Sequence, residues 1–324
     1  MSLSLPINDF GRVAGTATAL AAALFALHRL LGTKKSNRPK VIPHSQERVL
    51  ILGASSGLGR TLTKQYAARG ARVCAVARRK TQLEQLASEC GDNHCLYVPA
   101  DFTVAADMLR LRDTLLLEWG GLDTIHICAG VSAVRTVMGL TGVDEAQTSQ
   151  DDVDKAAIER AAEIAARAIQ GNFFGPLNAA TTFVPMLKRT SASPAILLVS
   201  SVAAAVPAPT RALYAATKAA SLLLFQSLAI EQPSIAFTCI LPATIEGNFR
   251  ASAVDADPNK EPPETNKKGL KLGNVTSKCI EALDQGKRGN LFIPWFPYAI
   301  AHYLYYLWPS IIEQQARKKY DFMA

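Results

Sequence analysis

The chain has 324 residues, 49% of them hydrophobic, so one large core is expected, and a single α/β domain of about 250 residues with tails fits better than two domains. The net charge is +8, yet Lys and Arg are spread along the chain without an aromatic-interleaved basic tract or zinc-ligand spacing, so neither nucleic acid nor a metal is expected. The six cysteines, Cys74, Cys90, Cys95, Cys128, Cys239 and Cys279, lack disulfide spacing and read as buried thiols of a reducing compartment.

Residues 13–31 are almost entirely Ala, Leu, Val and Thr, broken late by His28 and Arg29, and approach the ~20 residues of a membrane helix. A cleaved signal peptide and a mitochondrial presequence are rival readings, but no strongly basic start or clean cleavage site supports the former. Lys34, Lys35, Arg38 and Lys40 follow, against Arg12 with Asp9 before, which by the positive-inside rule leaves the bulk of the protein in the cytosol. Residues 1–46 are expected to be an uncleaved anchor and tether in the endoplasmic reticulum membrane, with the polar stretch 32–46, holding Pro39 and Pro43, as the tether.

Arg48–Leu52 is a short apolar run, followed by Gly53-Ala-Ser-Ser-Gly57-Leu-Gly59 and a helical pattern with Leu62, Tyr66 and Ala67 on one face. Glycine is needed where backbone turns tightly and approaches a pyrophosphate, whose charge the following helix N-terminus favours. Gly53, Ser55, Ser56, Gly57, Leu58 and Gly59 therefore form a candidate dinucleotide loop. A second strand, Arg72–Ala77, ends in Arg78-Arg79-Lys80. An acid here would take ribose hydroxyls, whereas arginine accommodates a 2′-phosphate, so NADP(H) is expected over NAD(H). Lys80 reads as readily as a solvated charge at a helix start.

Residues 96–99 look like a third strand, followed by Asp101 and Phe102, and the acid there suits a cap for a helix beginning near Thr103. Ala105–Trp119 reads as a long helix leading to a strand at 124–128, whose end is Cys128-Ala129-Gly130. Residues 131–150 read as a surface loop and residues from Asp151 on as a helix; the acids of this region are taken as solvated. Asn172 lies in the same helical region, where asparagine is unfavourable unless it has a task or faces water.

The apolar run Ala195–Val199 would deliver Ser201 to the C-terminal edge of a sheet. Tyr214 and Lys218, four apart at the start of an Ala/Leu-rich helix, share a face. A tyrosine titrates near pH ~10, and a neighbouring cation lowers that value, fitting it to exchange a proton at physiological pH. On most helices such a pair is solvated; the upstream glycine motif tips the balance. Residues 235–241 form a further strand, followed by Pro242-Ala243-Thr244-Ile245-Glu246-Gly247. Residues 249–274, with Pro258, Pro262 and Pro263, suit a mobile lid or an ordinary surface excursion.

Residues 291–312 lack charge and carry Trp295, Phe296, Tyr298, Tyr303, Tyr305, Tyr306 and Trp308. Prolines at 294, 297 and 309 leave a piece only eleven residues long, ~17 Å as a helix, against a ~30 Å hydrocarbon core. With Arg317, Lys318 and Lys319 following, the segment reads as one lying in the headgroup layer, or equally as a core helix or homodimer contact.

The glycine loop together with Ser201, Tyr214 and Lys218 resembles the short-chain dehydrogenase/reductase family over residues 48–293, and the anchored layout is similar to its 11-beta-hydroxysteroid dehydrogenase and 3-ketosphinganine reductase members. The resemblance implies a Rossmann-like doubly wound parallel α/β sheet as one domain over residues 47–293, with residues 294–324 as a membrane-associated tail. The spacing Gly-x-x-x-Gly-x-Gly is that family's, although Leu52 stands where threonine is usual. By resemblance, Asp101 and Phe102 lie near the adenine ring, and Ala129 and Gly130 admit the cofactor, with Cys128 replacing the usual asparagine. Pro242 and Ile245 hold the nicotinamide carboxamide, with Ala243 in place of glycine and Gly247 in place of threonine.

The same resemblance implies that Tyr214 exchanges a proton with the substrate oxygen while Ser201 orients it. Lys218 lowers the Tyr214 pKa and binds the nicotinamide ribose, and Asn172 holds a relay water. The expected activity is interconversion of a ketone and a secondary alcohol on a hydrophobic steroid, sphingoid or other lipid substrate taken from the bilayer, running as a reductase with NADP(H). The altered nicotinamide loop keeps one alternative, a non-catalytic NADP(H)-binding or scaffold protein at a membrane.

Overall fold

Apolar runs bounded by turn residues and separated by helical segments form strands buried on both faces. The computed structural model, which describes residues 37–91, 95–142, 152–256 and 266–322, has β1 (Arg48–Leu52), β2 (Arg72–Ala77), β3 (Cys95–Pro99), β4 (Thr124–Ile127), β5 (Ala195–Val199), β6 (Ala236–Pro242) and β7 (Gly289–Ile293). They pair in parallel in the order β3-β2-β1-β4-β5-β6-β7. The order reverses at β1 and β4, so the C-terminal ends of these strands flank the switch point where ligands enter such sheets.

Alternation along β1 builds a core on each side. Leu50 and Leu52 pack with α3 (Ala105–Trp119), α6 (Gly175–Thr190) and α7 (Ala212–Glu231), whereas Val49 and Ile51 pack with α1 (Gly57–Ala68), α2 (Lys80–Cys90) and α8 (Leu272–Asp284). The remaining helices are α4 (Val137–Thr141), α5 (Lys155–Ile169), α9 (Tyr298–Leu307) and α10 (Pro309–Lys319). The doubly wound parallel sheet is therefore the architecture the sequence implies.

Three segments differ from expectation. The loop expected at 131–150 contains α4, started by Thr136, whose hydroxyl accepts a hydrogen bond from Gly139 N. The edge strand β7 went unassigned in the sequence. The tether expected at 32–46 is packed protein from Asn37 on: Pro39 lies in one 3-10 turn, Arg38–Lys40, and Pro43 precedes a second, His44–Gln46. The expected membrane helix at 13–31 lies outside the described residues.

Electrostatics explains why residues 37–47 are fixed. Arg38 is only 2% exposed and donates to Ser193 O at 2.9 Å, Asp123 O at 3.2 Å and Thr124 Oγ1 at 2.7 Å, besides pairing with Glu47. Glu47 also pairs with Arg69, which reaches Asp284 at 3.0 Å. Burial alone would raise the Glu47 pKa, but Arg38 and Arg69 hold its carboxyl below the usual range. Arg48 forks onto Asp123 at 2.8 and 2.9 Å.

Among the described residues, one helix, Ala212–Glu231, has the length and composition to cross a membrane. It is α7, whose inward residues Lys218, Ser221, Leu222 and Phe225 are buried in this fold. The C-terminal aromatic segment is anchored through Ala299 and Ile312, both buried, and through His302, whose Nδ1 donates to Ala205 O at 2.9 Å. Trp295, Phe296, Tyr303, Tyr306, Leu307 and Trp308 stay exposed.

His126 on β4 is fully buried with Nε2 2.8 Å from the Tyr66 hydroxyl, and burial pushes its pKa down to about 3. Below pH ~6.5 the unfolded chain binds a proton that the native histidine refuses, so stability falls as pH drops from about 6.5 toward 3. From pH 6.5 to pH 5 this one group is expected to remove about 2 kcal/mol, and urea unfolding of wild type beside His126→Asn at the two pH values should show that increment missing in the variant.

Candidate active site

The C-terminal edge of the sheet gathers the predicted residues from four elements. β5 ends at Val199 and passes into Ser201, whose Oγ accepts from Ala203 N at 3.1 Å, opening the 3-10 turn Val202–Ala204. α7 then brings Tyr214 and Lys218 to the same edge. Lys218 is 4% exposed, and its Nζ donates to Val199 O at 3.0 Å. Burial lowers its pKa to about 8.

Burial raises the Tyr214 pKa, while the Ser201 hydroxyl draws it down. The positive charges that act on Tyr214 are Arg211 and then Arg250. Lys218 was expected to be that charge, but its ammonium is turned to the end of β5 and to Gly130. A Cβ at Gly130 would lie 3.1 Å from Lys218 Nζ and 2.8 Å from Asn172 Oδ1, so a side chain there would displace both groups.

Asn172 is fully buried in a π-turn, Gln170–Phe174, between α5 and α6. Its Oδ1 accepts from Val131 N at 2.9 Å, and its Nδ2 donates to Val131 O at 2.9 Å and Thr217 Oγ1 at 3.0 Å. The side chain therefore staples the strand-end loop to the turn before Lys218. The wider π register also interrupts the ordinary helical ladder there, a pattern frequent at functional sites.

The glycine loop fits a dinucleotide. Gly53 has φ +94, and a Cβ on it would come within 2.6 Å of Ala129 N. A Cβ on Gly59 would collide with Gly53 O, so neither position admits a side chain. Gly57 opens α1, Leu58 packs on the core, and Ala129 N donates to Leu52 O at 2.9 Å, closing the loop on β4. Arg79 donates to Ser55 Oγ at 2.8 Å and to Ser56 Oγ at 2.9 Å while remaining exposed. A guanidinium with two hydroxyls beside a helix N-terminus matches a phosphate monoester.

Arg78 is 73% exposed and 3.9 Å from the Asp101 carboxylate. Asp101 Oδ1 accepts from Thr103 N at 2.9 Å and Thr103 Oγ1 at 2.8 Å, a turn two residues ahead of α3 and not the expected helix cap, because the N-cap of α3 is Val104 without a side-chain cap bond. The Phe102 ring lies against Gly175 at the start of α6, where a Cβ would strike it. Pro242 ends β6, and Ile245 bridges to Leu270, tying the following loop to residues 266–272. Gly247, where threonine is usual in the resembling family, has φ +117, a conformation that threonine would strain.

Sequence reading missed three contributors. Asp255 is 2% exposed and accepts from Val134 N at 2.7 Å and Arg135 N at 2.8 Å, so the first part of the expected lid, as far as the described residues go, is docked on the loop after β4. Arg211 and Tyr320 also bear on Tyr214. Arg211 was legible in principle, because a position three before Tyr214 shares its side of the helix.

A family model described as short chain dehydrogenase matches residues 47–258. The chain is 29% identical over 252 residues to 11-beta-hydroxysteroid dehydrogenase-like 3 of Arabidopsis thaliana, covering 76% of this chain and 72% of that protein. It is 27% identical over 315 residues to hydroxysteroid 11-beta-dehydrogenase 1-like protein of Gallus gallus, covering 94% and 95%. Among solved structures, an alcohol dehydrogenase from the archaeon Thermococcus sibiricus complexed with 5-hydroxy-NADP shares the fold with TM-score 0.61 at 21% identity, over 76% of this chain and 95% of that one. The closed form of serine dehydrogenase complexed with NADP+ gives TM-score 0.61 and 21% identity over 76% and 93%.

Replacing Asn172 by Ala leaves Val131 N and Val131 O without their side-chain partner and the Thr217 hydroxyl with only its bond to Tyr214 O, and should cost about 3 kcal/mol of stability in urea unfolding.

Proposed function

The chain belongs to the short-chain dehydrogenase family, and on that premise we propose that it is an NADP(H)-dependent reductase converting a ketone on a hydrophobic substrate to a secondary alcohol at a membrane surface. The observation that carries the reading is the convergence of Ser201, Tyr214 and Lys218 on the edge of the sheet that the glycine loop opens. When bound, the dinucleotide supplies a hydride in its reduced form and accepts one in its oxidised form. Gly53, Ser55, Ser56, Gly57 and Gly59 would hold its phosphates, Arg79 its 2′-phosphate, and Lys218 its ribose.

Tyr214 works as the proton donor. Burial keeps the phenol protonated at neutral pH, the form that can give its proton to a carbonyl oxygen as that oxygen gains charge. Ser201 donates to the same oxygen and fixes its direction. Arg211 and Arg250 supply the positive field that favours the phenolate left once the proton has gone, while Lys218, with a pKa of about 8, is mostly charged at pH 7 and is kept for the ribose. Asn172 holds the Val131 backbone and Thr217 in place and so positions Lys218.

Arg79, seated over two serine hydroxyls with no acid beside it in the loop, supports NADP(H) over NAD(H). The exposed aromatic surface of residues 295–308 and the basic end of α10, Arg317 to Lys319, support contact with lipid headgroups. A poorly soluble ketone or alcohol would then reach the site from the bilayer, with the catalytic edge on the cytosolic side of the endoplasmic reticulum.

The test is NADPH oxidation by detergent-solubilised protein across steroid, sphingoid and acyl ketones, with Tyr214→Phe alongside. Turnover should be lost in the variant while NADPH affinity is kept; tight NADPH binding with no turnover on any compound would favour a non-catalytic binding protein. Arg79→Ala should weaken NADPH about tenfold to a hundredfold, the usual worth of a charge-assisted contact, and leave NADH nearly unchanged in fluorescence titrations.

A further inference from the structure

At the N-terminal end of the sheet the buried Arg38 and the half-buried Arg48 and Arg69 are each supplied with a carboxylate. Arg38 has Glu47, Arg48 has Asp123, and Arg69 has both Glu47 and Asp284. Such pairing is the rule, because an uncompensated buried charge is costly. Arg211, the residue that precedes α7, breaks the rule. It is 8% exposed, its Nη1 donates to Ala133 O at 3.0 Å, and among the described residues no carboxylate lies within 4.0 Å of it.

A second arginine lies beside the same phenol. Arg250 is half-buried and follows Phe249, whose ring centroid stands 6.1 Å from that of Tyr214. Its Nη2 reaches Thr244 Oγ1 at 3.5 Å, and among the described residues it too lacks a carboxylate within 4.0 Å. Arg250 adjoins the residue whose ring packs on Tyr214, and Arg211 stands three residues before Tyr214, so both cations border the same phenol; burial and then the charge of Arg250 lower the Arg211 pKa. Like charges held together beside a proton donor, without an acid between them, describe half of an ion-binding site.

We propose that Arg211 and Arg250 form an anion subsite beside Tyr214, which takes a carboxylate or phosphate carried by the carbonyl substrate. This rests on the oxidoreductase reading above and narrows it: the substrate is an amphiphile, apolar over most of its length and anionic near the ketone. Planar guanidinium forks suit either anion, and the buried setting strengthens the contact.

The full chain with NADPH would be given a long-chain keto acid, its methyl ester, and the matching keto alkyl phosphate. One of the two anions should exceed the ester in kcat/KM by about tenfold to a hundredfold, and which one does so identifies the group. That preference should fall toward unity in Arg211→Gln and in Arg250→Gln; the half-exposed Arg250 keeps the test available if the Arg211 variant does not fold.

A second readout needs no turnover: decanoate or decyl phosphate, but not decanol, should raise Tm of the NADP(H)-loaded chain, and Arg250→Gln should abolish the rise. If the rise occurs and is lost in the variant while no ketone is reduced, the subsite stands and the reductase reading falls. Turnover with equal kcat/KM for acid, phosphate and ester overturns the subsite and leaves the reductase reading intact. An anion preference that survives both substitutions overturns it as well.

Discussion

The candidate active-site edge depends on burying one ammonium group. Lys218 is 4% exposed and has the Val199 carbonyl as its hydrogen-bond acceptor, in a setting where an isolated charge is strongly disfavoured. The lowering of its pKa to about 8 measures that tension. The bond to Val199 fixes the rotation of α7 against β5, and rotation fixes what else α7 presents. Tyr214 stands one turn before Lys218 and Arg211 nearly another turn before that, so one buried contact aims three side chains. The space is kept open from the far side by Gly130, whose missing side chain leaves room for Lys218 Nζ and Asn172 Oδ1 together.

The two ends of the sheet solve opposite problems. At the N-terminal end, Arg38, Glu47, Arg69, Asp284, Arg48 and Asp123 form ion pairs in which each buried charge has an opposite one. That end holds the segment entering β1 onto the underside of β4 and gains fixed geometry. At the C-terminal end, Lys218 is bonded only to a backbone carbonyl, and Arg211 likewise has Ala133 O. Charges there are partnered by neutral groups, which leaves their fields available to an incoming molecule. Parallel strands put every helix entry at this end, so backbone N–H groups add to the same positive potential.

Most of the scaffold was legible because its signals are local. β1, β2, β5 and α3 follow from runs of apolar residues with clean boundaries, and their ends fall where the patterns stop. The glycine loop and the Tyr214–Lys218 pair are visible because spacing along the chain translates directly into proximity. β7 was not, since Gly289 and Asn290 dilute a five-residue strand whose pairing comes entirely from β6. Residues 37–46 misled for a related reason: proline and charge resemble a linker, and it takes partners 85 or more residues away, together with Glu47, to convert Arg38 into a buried clamp. The source of positive charge at Tyr214 was misjudged because helix spacing gives adjacency without direction, and a lysine stem is long enough to turn its ammonium away from the neighbour one turn back.

The C-terminal aromatic segment is more than an appendage of this edge. His302 on α9 donates to Ala205 O, in the stretch that leaves Ser201, while Ala299 beneath it is buried against the core. The neighbouring faces of α9 and α10 expose Tyr303, Tyr306, Leu307 and Ile311. Tyr320, at the end of α10, bears on both Arg211 and Tyr214. The same two helices therefore bear on the surroundings of Tyr214 at two points, through the His302 bond to Ala205 O and through the Tyr320 phenol, while offering an apolar surface outward.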